Sequence, residues 1–197
     1  MVSDIPEGFR IILASSSPRR RQLLSDAGIA FTPAAVDCEE IWPSGLEGKD
    51  IAEYLADLKA GAWKGKLAEK EILITADTIV WCQGAVLGKP ADPEEAARFL
   101  RLLSGCDHEV ITGICLTDIK RKNIFSVSTL VTFRHLTEAE ISYYVREYEP
   151  YDKAGAYGIQ EWIGLRGITR IEGSYYNVVG MPVSELYSEL LKFIECK

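Results

Sequence analysis

The stretch Phe9-Arg10-Ile11-Ile12-Leu13-Ala14-Ser15-Ser16-Ser17-Pro18-Arg19-Arg20-Arg21-Gln22-Leu23-Leu24-Ser25-Asp26-Ala27-Gly28 reads from left to right as a strand, a turn and a helix. Residues 9–14 are apolar apart from Arg10 and have the length of a short buried strand. Ser17 is a residue type that caps orphan amides, Pro18 suits a first helical turn, and Gly28 is a stop signal, so a helix is expected over residues 18–27. A strand leading straight into a helix is the building unit of an α/β domain, and the pattern continues outward from here.

Ile51, Tyr54, Leu55, Leu58 and Ala62 fall on one helical face, with Lys59 at its edge. Residues 72–76 form an apolar run of strand length, and residues 78–82 and 85–87 flank Gln83-Gly84, a good hairpin turn. Asp92-Pro93-Glu94-Glu95 starts a helix that Ala96, Phe99, Leu100 and Leu103 carry toward Gly105. Two longer strands lie around residues 120–123. The second alternates Phe125, Val127, Thr129, Val131 and Phe133, as a half-buried strand does. Thr137 with Glu140 forms a capping box for a helix that ends before Pro150, and Val183, Leu186, Tyr187, Leu190, Leu191 and Ile194 mark a last helix. The expected class is therefore α/β, a mixed central β-sheet flanked by helices, in one domain spanning residues 1–197.

Composition excludes several function classes. The 197 residues, 47% hydrophobic and 26% charged, are those of an ordinary globular chain long enough to fold without disulfides or a structural metal. No apolar run approaches the roughly 20 residues of a membrane span, and the acidic opening, MVSDIPEGF, lacks the pattern of a signal peptide. Five cysteines, an odd number without a CxxC pair, argue against a disulfide framework and a cysteine zinc site, so a cytoplasmic protein is expected. With 22 basic against 29 acidic residues the net charge is −7, which disfavours nucleic acid and membrane surfaces as partners.

Against that acidic background the cluster Arg19-Arg20-Arg21 is conspicuous. Three arginines in a first helical turn oppose the helix dipole unless an anion compensates, and a phosphate beside serine hydroxyls and free N–H groups would do so. Alternatively Ser17 merely caps and the arginines point into water. Asp77 stands where the run of residues 72–76 ends, and could hold Mg²⁺ or take a proton from water, or could cap a turn. Thr78 is a neighbouring donor or a plain strand residue. Lys89, between Gly88 and Pro90, could meet a phosphate as a point charge, or be solvated, and Lys59 would by default snorkel. In DKAGAYGIQ, residues 152–160, small residues permit close approach to a ligand and Gln160 can present a donor and an acceptor to a base edge; an ordinary surface loop is the other reading. Glu39 and Glu40 are a solvated pair, or one shares a metal with Asp77. No GxxxxGK[ST], GxGxxG, HExxH or GxSxG occurs, which removes the main support for ATPase, dinucleotide, zinc-hydrolase and serine-hydrolase readings.

Six stretches together resemble the Maf family of nucleoside triphosphate pyrophosphatases: LASSSPRRRQLL (13–24), ITADTIV (74–80), VLGKP (86–90), LSGCDHEVITG (103–113), YDKAGAYGIQ (151–160) and IEGSYYNVVGMP (171–182). They keep the family order and span nearly the whole chain. The resemblance implies a fold with a ligand cleft, similar to that of inosine triphosphate pyrophosphatases. It implies hydrolysis of a nucleoside triphosphate between the α and β phosphates, a divalent cation (Mg²⁺ or Mn²⁺), and often a homodimer. The GIQ form resembles the dTTP/UTP branch. Asp77 falls on the proton acceptor, and Arg19, Thr78 and Gln160 fall on positions associated with base choice. Ser15, Arg20, Lys59 and Lys89 match further active-site positions, and Glu40 matches an acidic one. A departure is Glu161, where the family usually has glycine after the glutamine.

These readings combine into one expectation. Ser15, Arg19 and Arg20 meet the phosphates, and Lys59 and Lys89 offset charge developing in the transition state. Asp77, alone or with Glu40, binds the metal and orients or deprotonates water, while Gln160 reads a pyrimidine edge. The alternatives are a pyrophosphatase for modified purine triphosphates and a nucleotide-sensing regulator of septum formation without turnover.

Overall fold

The computed structural model describes residues 5–195; the first four residues of the acidic opening, and Cys196 with Lys197, lie outside the described residues. The chain runs β1 (Arg10–Ala14), α1 (Pro18–Asp26), β2 (Thr32–Ala34), α2 (Lys49–Ala62), β3 (Glu71–Cys82), β4 (Ala85–Leu87), α3 (Pro93–Leu103), β5 (Asp107–Thr117), β6 (Lys122–Phe133) and α4 (Glu138–Tyr148). A single 3₁₀ turn (Ala154–Ala156), α5 (Trp162–Gly167), β7 (Ile168–Glu172), α6 (Tyr175–Val179) and α7 (Val183–Glu195) complete it. The strands form a seven-stranded sheet in the order β2-β1-β3-β5-β6-β7, with β4 paired to β3. Pairing of β1 with β2 and β3 is parallel, whereas β3–β4 and β6–β7 are antiparallel, so the sheet is mixed as expected.

Local signals account for the starts of three helices and for one hairpin. Ser17 caps α1 by accepting from Arg20 N, Asp92 caps α3 by accepting from Glu95 N, and the capping box of Thr137 and Glu140 opens α4. Gln83 and Gly84 both have positive φ, 51° and 79°, which is the backbone of a type I′ hairpin turn.

The chain divides into two compact units, one holding the residues up to Asp77, Thr112–Val127 and those from Gly180 on, the other Thr78–Ile111 and Ser128–Val179. In the first unit the strands bury both faces. Leu13, Ile72 and Ile74 pack with Leu24 of α1 and Leu186 and Leu190 of α7, while Ala14 and Leu73 pack with Ala56 and Ala60 of α2. In the second unit Phe99 and Leu100 of α3 and Ile141 and Tyr144 of α4 share one core with Val110, Val131, Phe133, Tyr157 and Ile159.

Four expectations change. The buried face of α2 is Ile51, Ala52, Leu55, Ala56 and Ala60, not the stripe through Tyr54, Leu58 and Ala62. A Cβ on Gly113 would lie 2.1 Å from the Ala52 carbonyl oxygen, so β5 accepts the helix backbone at van der Waals contact and turns the alanines inward. Second, the two runs flanking Asp77 are one unbroken twelve-residue strand, β3, so Asp77 lies mid-strand rather than at a strand end. Third, residues 155–159 are buried, so the segment before Gln160 is not an ordinary surface loop. Fourth, β2, α5, β7 and α6 carry no periodic signal of their own. β2 is Thr-Pro-Ala, and its proline is tolerated because the strand has a neighbour on one side only.

Candidate active site

The site builds outward from the join of β1 and α1 in the first unit. Ser15 follows the last residue of β1, its N–H donating to Ala34 O of β2 at 3.1 Å. Its Oγ accepts from Ser17 N at 3.2 Å, so the serine turn is closed on itself before α1 begins. Of the three arginines, Arg21 folds back and donates from Nε and Nη2 to Ser15 O at 3.0 and 2.7 Å. Arg20 is buried and donates from Nε to Gly180 O at 2.9 Å and from Nη1 to Ala76 O at 2.8 Å. These two guanidinium groups thus do not simply point into water; each braces main chain. Arg19, between Pro18 and Arg20, is half-buried.

The carboxylate next to that brace is Asp77. β3 carries it inward, and α2 supplies its partner: Lys59 bonds to Asp77 Oδ1 and, at 2.8 Å, to Glu40 Oε1. Only 12% of the Lys59 side chain and 9% of the Asp77 side chain is exposed. Lys59 therefore does not snorkel to solvent. Its direction follows from the turned face of α2: Ala52, Ala56 and Lys59 stand four and three residues apart, so the lysine lies on the inward alanine stripe. Thr75 Oγ1 donates to Ala56 O at 2.7 Å and sets the register between strand and helix two residues before Asp77.

Electrostatics here are those of a desolvated cluster. Burial pushes the Asp77 carboxyl above the ordinary carboxylate value, and Lys59 and then Arg20 oppose that rise. Burial lowers the Arg20 guanidinium, with Asp77 and Glu40 opposing. Cys38, which sequence reading passed over, has its thiol raised by burial while the Lys59 charge pulls it down. Its only sequence signal was its place two residues before Glu40.

The remaining expected residues lie in the second unit. Thr78 follows Asp77 in β3 and is half-buried, and Lys89 and Gln160 are exposed. Their two segments meet: Gly155 N donates to Gly88 O at 3.0 Å, so the loop that carries Lys89 is bonded to the turn that leads to Gln160. The structure thus gathers Glu40, Lys59, Asp77 and Arg20 in one cluster beside the Ser15 turn, and links the Lys89 and Gln160 segments within the other unit.

Among the described residues no group of three or more His, Cys, Asp or Glu could hold a metal by itself. Two carboxylates, Asp77 and Glu40, nevertheless converge on one cation, the Lys59 ammonium. One or two carboxylates completed by substrate phosphates is the usual donor set for Mg²⁺, so these residues suit a cation that arrives with a phosphate substrate rather than one caged by protein alone.

A mixed sheet flanked by helices, with a capped, arginine-rich strand-to-helix turn beside a buried Lys–Asp pair, defines an α/β protein with a charged cluster at its first strand–helix join. The chain belongs to the family described as Maf-like protein, whose model matches residues 10–193. Proteins named dTTP/UTP pyrophosphatase are similar to it over nearly their whole length. The one from Porphyromonas gingivalis is 53% identical over 190 residues, covering 95% of this chain and 96% of the relative. The one from Phocaeicola vulgatus is 50% identical over 187 residues, 94% and 97% of the two chains. The one from Flavobacterium johnsoniae is 44% identical over 194 residues, 98% and 100%.

Proposed function

We propose that the chain is a nucleoside triphosphate pyrophosphatase that hydrolyses dTTP and UTP between the α and β phosphates, releasing the monophosphate and pyrophosphate. The relatives' names support the reaction and the pyrimidine substrates. The observation that carries the chemistry is the buried Asp77 carboxylate held by Lys59, one residue beyond the carbonyl that Arg20 braces.

In this reading Asp77 accepts a proton from the attacking water. Burial makes its carboxylate more basic than an ordinary aspartate, which suits a general base, and the Lys59 and Arg20 charges oppose its neutralisation. Ser15, Arg19 and Arg20 are assigned to the phosphates, and Lys59 and Lys89 to the negative charge that grows on the leaving pyrophosphate. Asp77 and Glu40 would hold Mg²⁺ or Mn²⁺ entering with the triphosphate, and such a cation supplies charge neutralisation and water activation. Thr78 and Gln160 are assigned to base choice; Gln160 can pair with the O4 and N3–H edge common to thymine and uracil. Cytoplasmic placement belongs to the same reading, supported by free thiols at Cys38, Cys82, Cys106 and Cys115. No helix of the described residues is long and apolar enough to cross a membrane.

The test is pyrophosphate release from dTTP, UTP, CTP, dITP and 7-methyl-GTP, with Mg²⁺ or Mn²⁺ and with EDTA. Metal-dependent release led by dTTP and UTP is expected. A lead by either purine would keep the reaction and overturn the base assignment. Nucleotide binding without release from any of them would favour a sensor.

A further inference from the structure

Glu161 occupies the position where the family pattern has glycine, immediately after the residue assigned to base choice. Its carboxylate does not face solvent alone. Tyr144 Oη donates to Glu161 Oε2, and Lys153 Nζ lies 3.1 Å from Glu161 Oε1. Tyr144 is fully buried, and its hydroxyl also accepts from Gly158 N at 3.0 Å. Glu161 N in turn donates to Gly158 O at 3.0 Å, which makes residues 158–161 a closed turn with Ile159 and Gln160 in its middle.

Both ends of that turn are therefore fastened to the same hydroxyl. Gly158 reaches Tyr144 through its main-chain N–H and Glu161 through its side chain. A Cβ on Gly158 would lie 2.8 Å from Glu161 Cδ, so the Glu161 carboxyl end packs directly against the Gly158 backbone. The Ile159 side chain is buried in the core of the second unit, and a Cβ on Gly164 would meet Ile159 O at 1.9 Å, so α5 presses on the turn from its other end. Within this fastened turn Gln160 is the exposed side chain.

We propose that Glu161, through Tyr144 and Lys153, is a positioning residue that fixes the turn presenting Gln160 and so sharpens discrimination among nucleobases. The inference rests on the assignment of Gln160 to base choice. It does not ask Glu161 to touch substrate. A carboxylate with two donors, one of them charged, holds its place far better than a side chain with neither. The gain is angular: Gln160 offers a donor and an acceptor as a pair, and a paired contact is lost when its backbone swings.

The experiment is a double-variant cycle. The ratio of kcat/KM for UTP to that for dITP is measured in the wild type, Glu161→Ala, Gln160→Ala and the combined variant. Glu161→Ala is expected to shrink the ratio roughly tenfold, and Gln160→Ala at least as much, with the combination no worse than Gln160→Ala alone. Glu161→Gln, which still accepts from Tyr144, should restore part of the ratio. A purely structural role would lower both substrates together and leave the ratio in place. An unchanged ratio in Glu161→Ala, with Gln160→Ala shifted, overturns the positioning role and leaves the base assignment standing. Effects of the two substitutions that multiply would overturn it as well, since Glu161 would then act independently of Gln160. No shift in Gln160→Ala overturns the base assignment and the positioning role with it.

Discussion

Lys59 and Asp77 form an ion pair between α2 and the middle of β3, two elements whose residues stand 18 positions apart in the chain. Both side chains are nearly enclosed, so the pair is retained at a desolvation cost that hydrophobic residues would not incur. Such a cost is tolerated where chemistry uses the groups. Glu40, more exposed and bonded to the same ammonium, adds a second carboxylate within reach of any cation that displaces or joins the lysine.

Replacing Asp77 with asparagine keeps the volume and an acceptor for Lys59 but removes the proposed base and its charge. The expected result is a kcat lower by about a hundredfold or more, together with a lower thermal midpoint, because the enclosed Lys59 ammonium keeps only Glu40 as its carboxylate partner. The rate loss at a temperature where the variant is folded is what identifies the base. Steady-state rates with dTTP beside a melting curve test this. Near-normal turnover would take Asp77 out of the reaction.

Lys59→Met leaves the Asp77 carboxylate buried without its cation. Breaking an enclosed pair from one side costs about 3–5 kcal/mol, and urea unfolding should read a loss of that order. Lys59→Met combined with Asp77→Asn should recover most of it, because no unpaired charge remains. If the double variant is as unstable as Lys59→Met, the loss comes from packing of the lysine stem.

The helix carrying Lys59 depends on a glycine 54 residues further on. Gly113→Ala sets a methyl against the Ala52 carbonyl, where both contacting groups are backbone. A destabilisation of about 2 kcal/mol or more is expected, with activity falling further than the folded fraction because α2 must shift. Gly61→Ala is the control in the same helix: nothing lies within 4 Å of its added Cβ, and relief of glycine's backbone entropy should stabilise the protein by roughly 0.5–1 kcal/mol. Equal effects of the two would contradict the close approach of β5 to α2.

That dependence also explains what could be read from the chain alone. α1, α3 and α4 begin where Ser17, Asp92 and Thr137 place them, because capping acts within three residues. The face that α2 buries is not set by its own periodicity, because the constraint lies on β5, at Gly113. β7 has no pattern of its own to read, because a short, mostly exposed strand owes its existence to the neighbour it pairs with. Asp77 stood out as a carboxylate in an apolar run, but Lys59 looked like a helix-edge lysine until α2 was turned. Tyr144, Lys153 and Glu161 gave no joint signal, since their contact requires α4, the 3₁₀ turn and α5 to meet.

His108 supplies a pH dependence independent of the site. It stacks on Phe133 and meets Tyr157 edge-on, with Nε2 2.7 Å from Tyr157 Oη. Burial lowers its imidazole from 6.5 to about 4, with Asp107 opposing weakly through its charge. A base whose folded value lies below its unfolded one is protonated more readily in the unfolded chain. The stability of the neutral buried ring is therefore present above about pH 6.5 and is lost as the pH falls toward 4. At about 1.4 kcal/mol per unit, the loss attributable to this ring between pH 7 and pH 4 is about 3 kcal/mol. Urea unfolding at several pH values across that window should give a steeper fall for the wild type than for His108→Phe, whatever the absolute stability of the variant. Parallel profiles would mean that the ring titrates in the folded protein as it does in the unfolded chain.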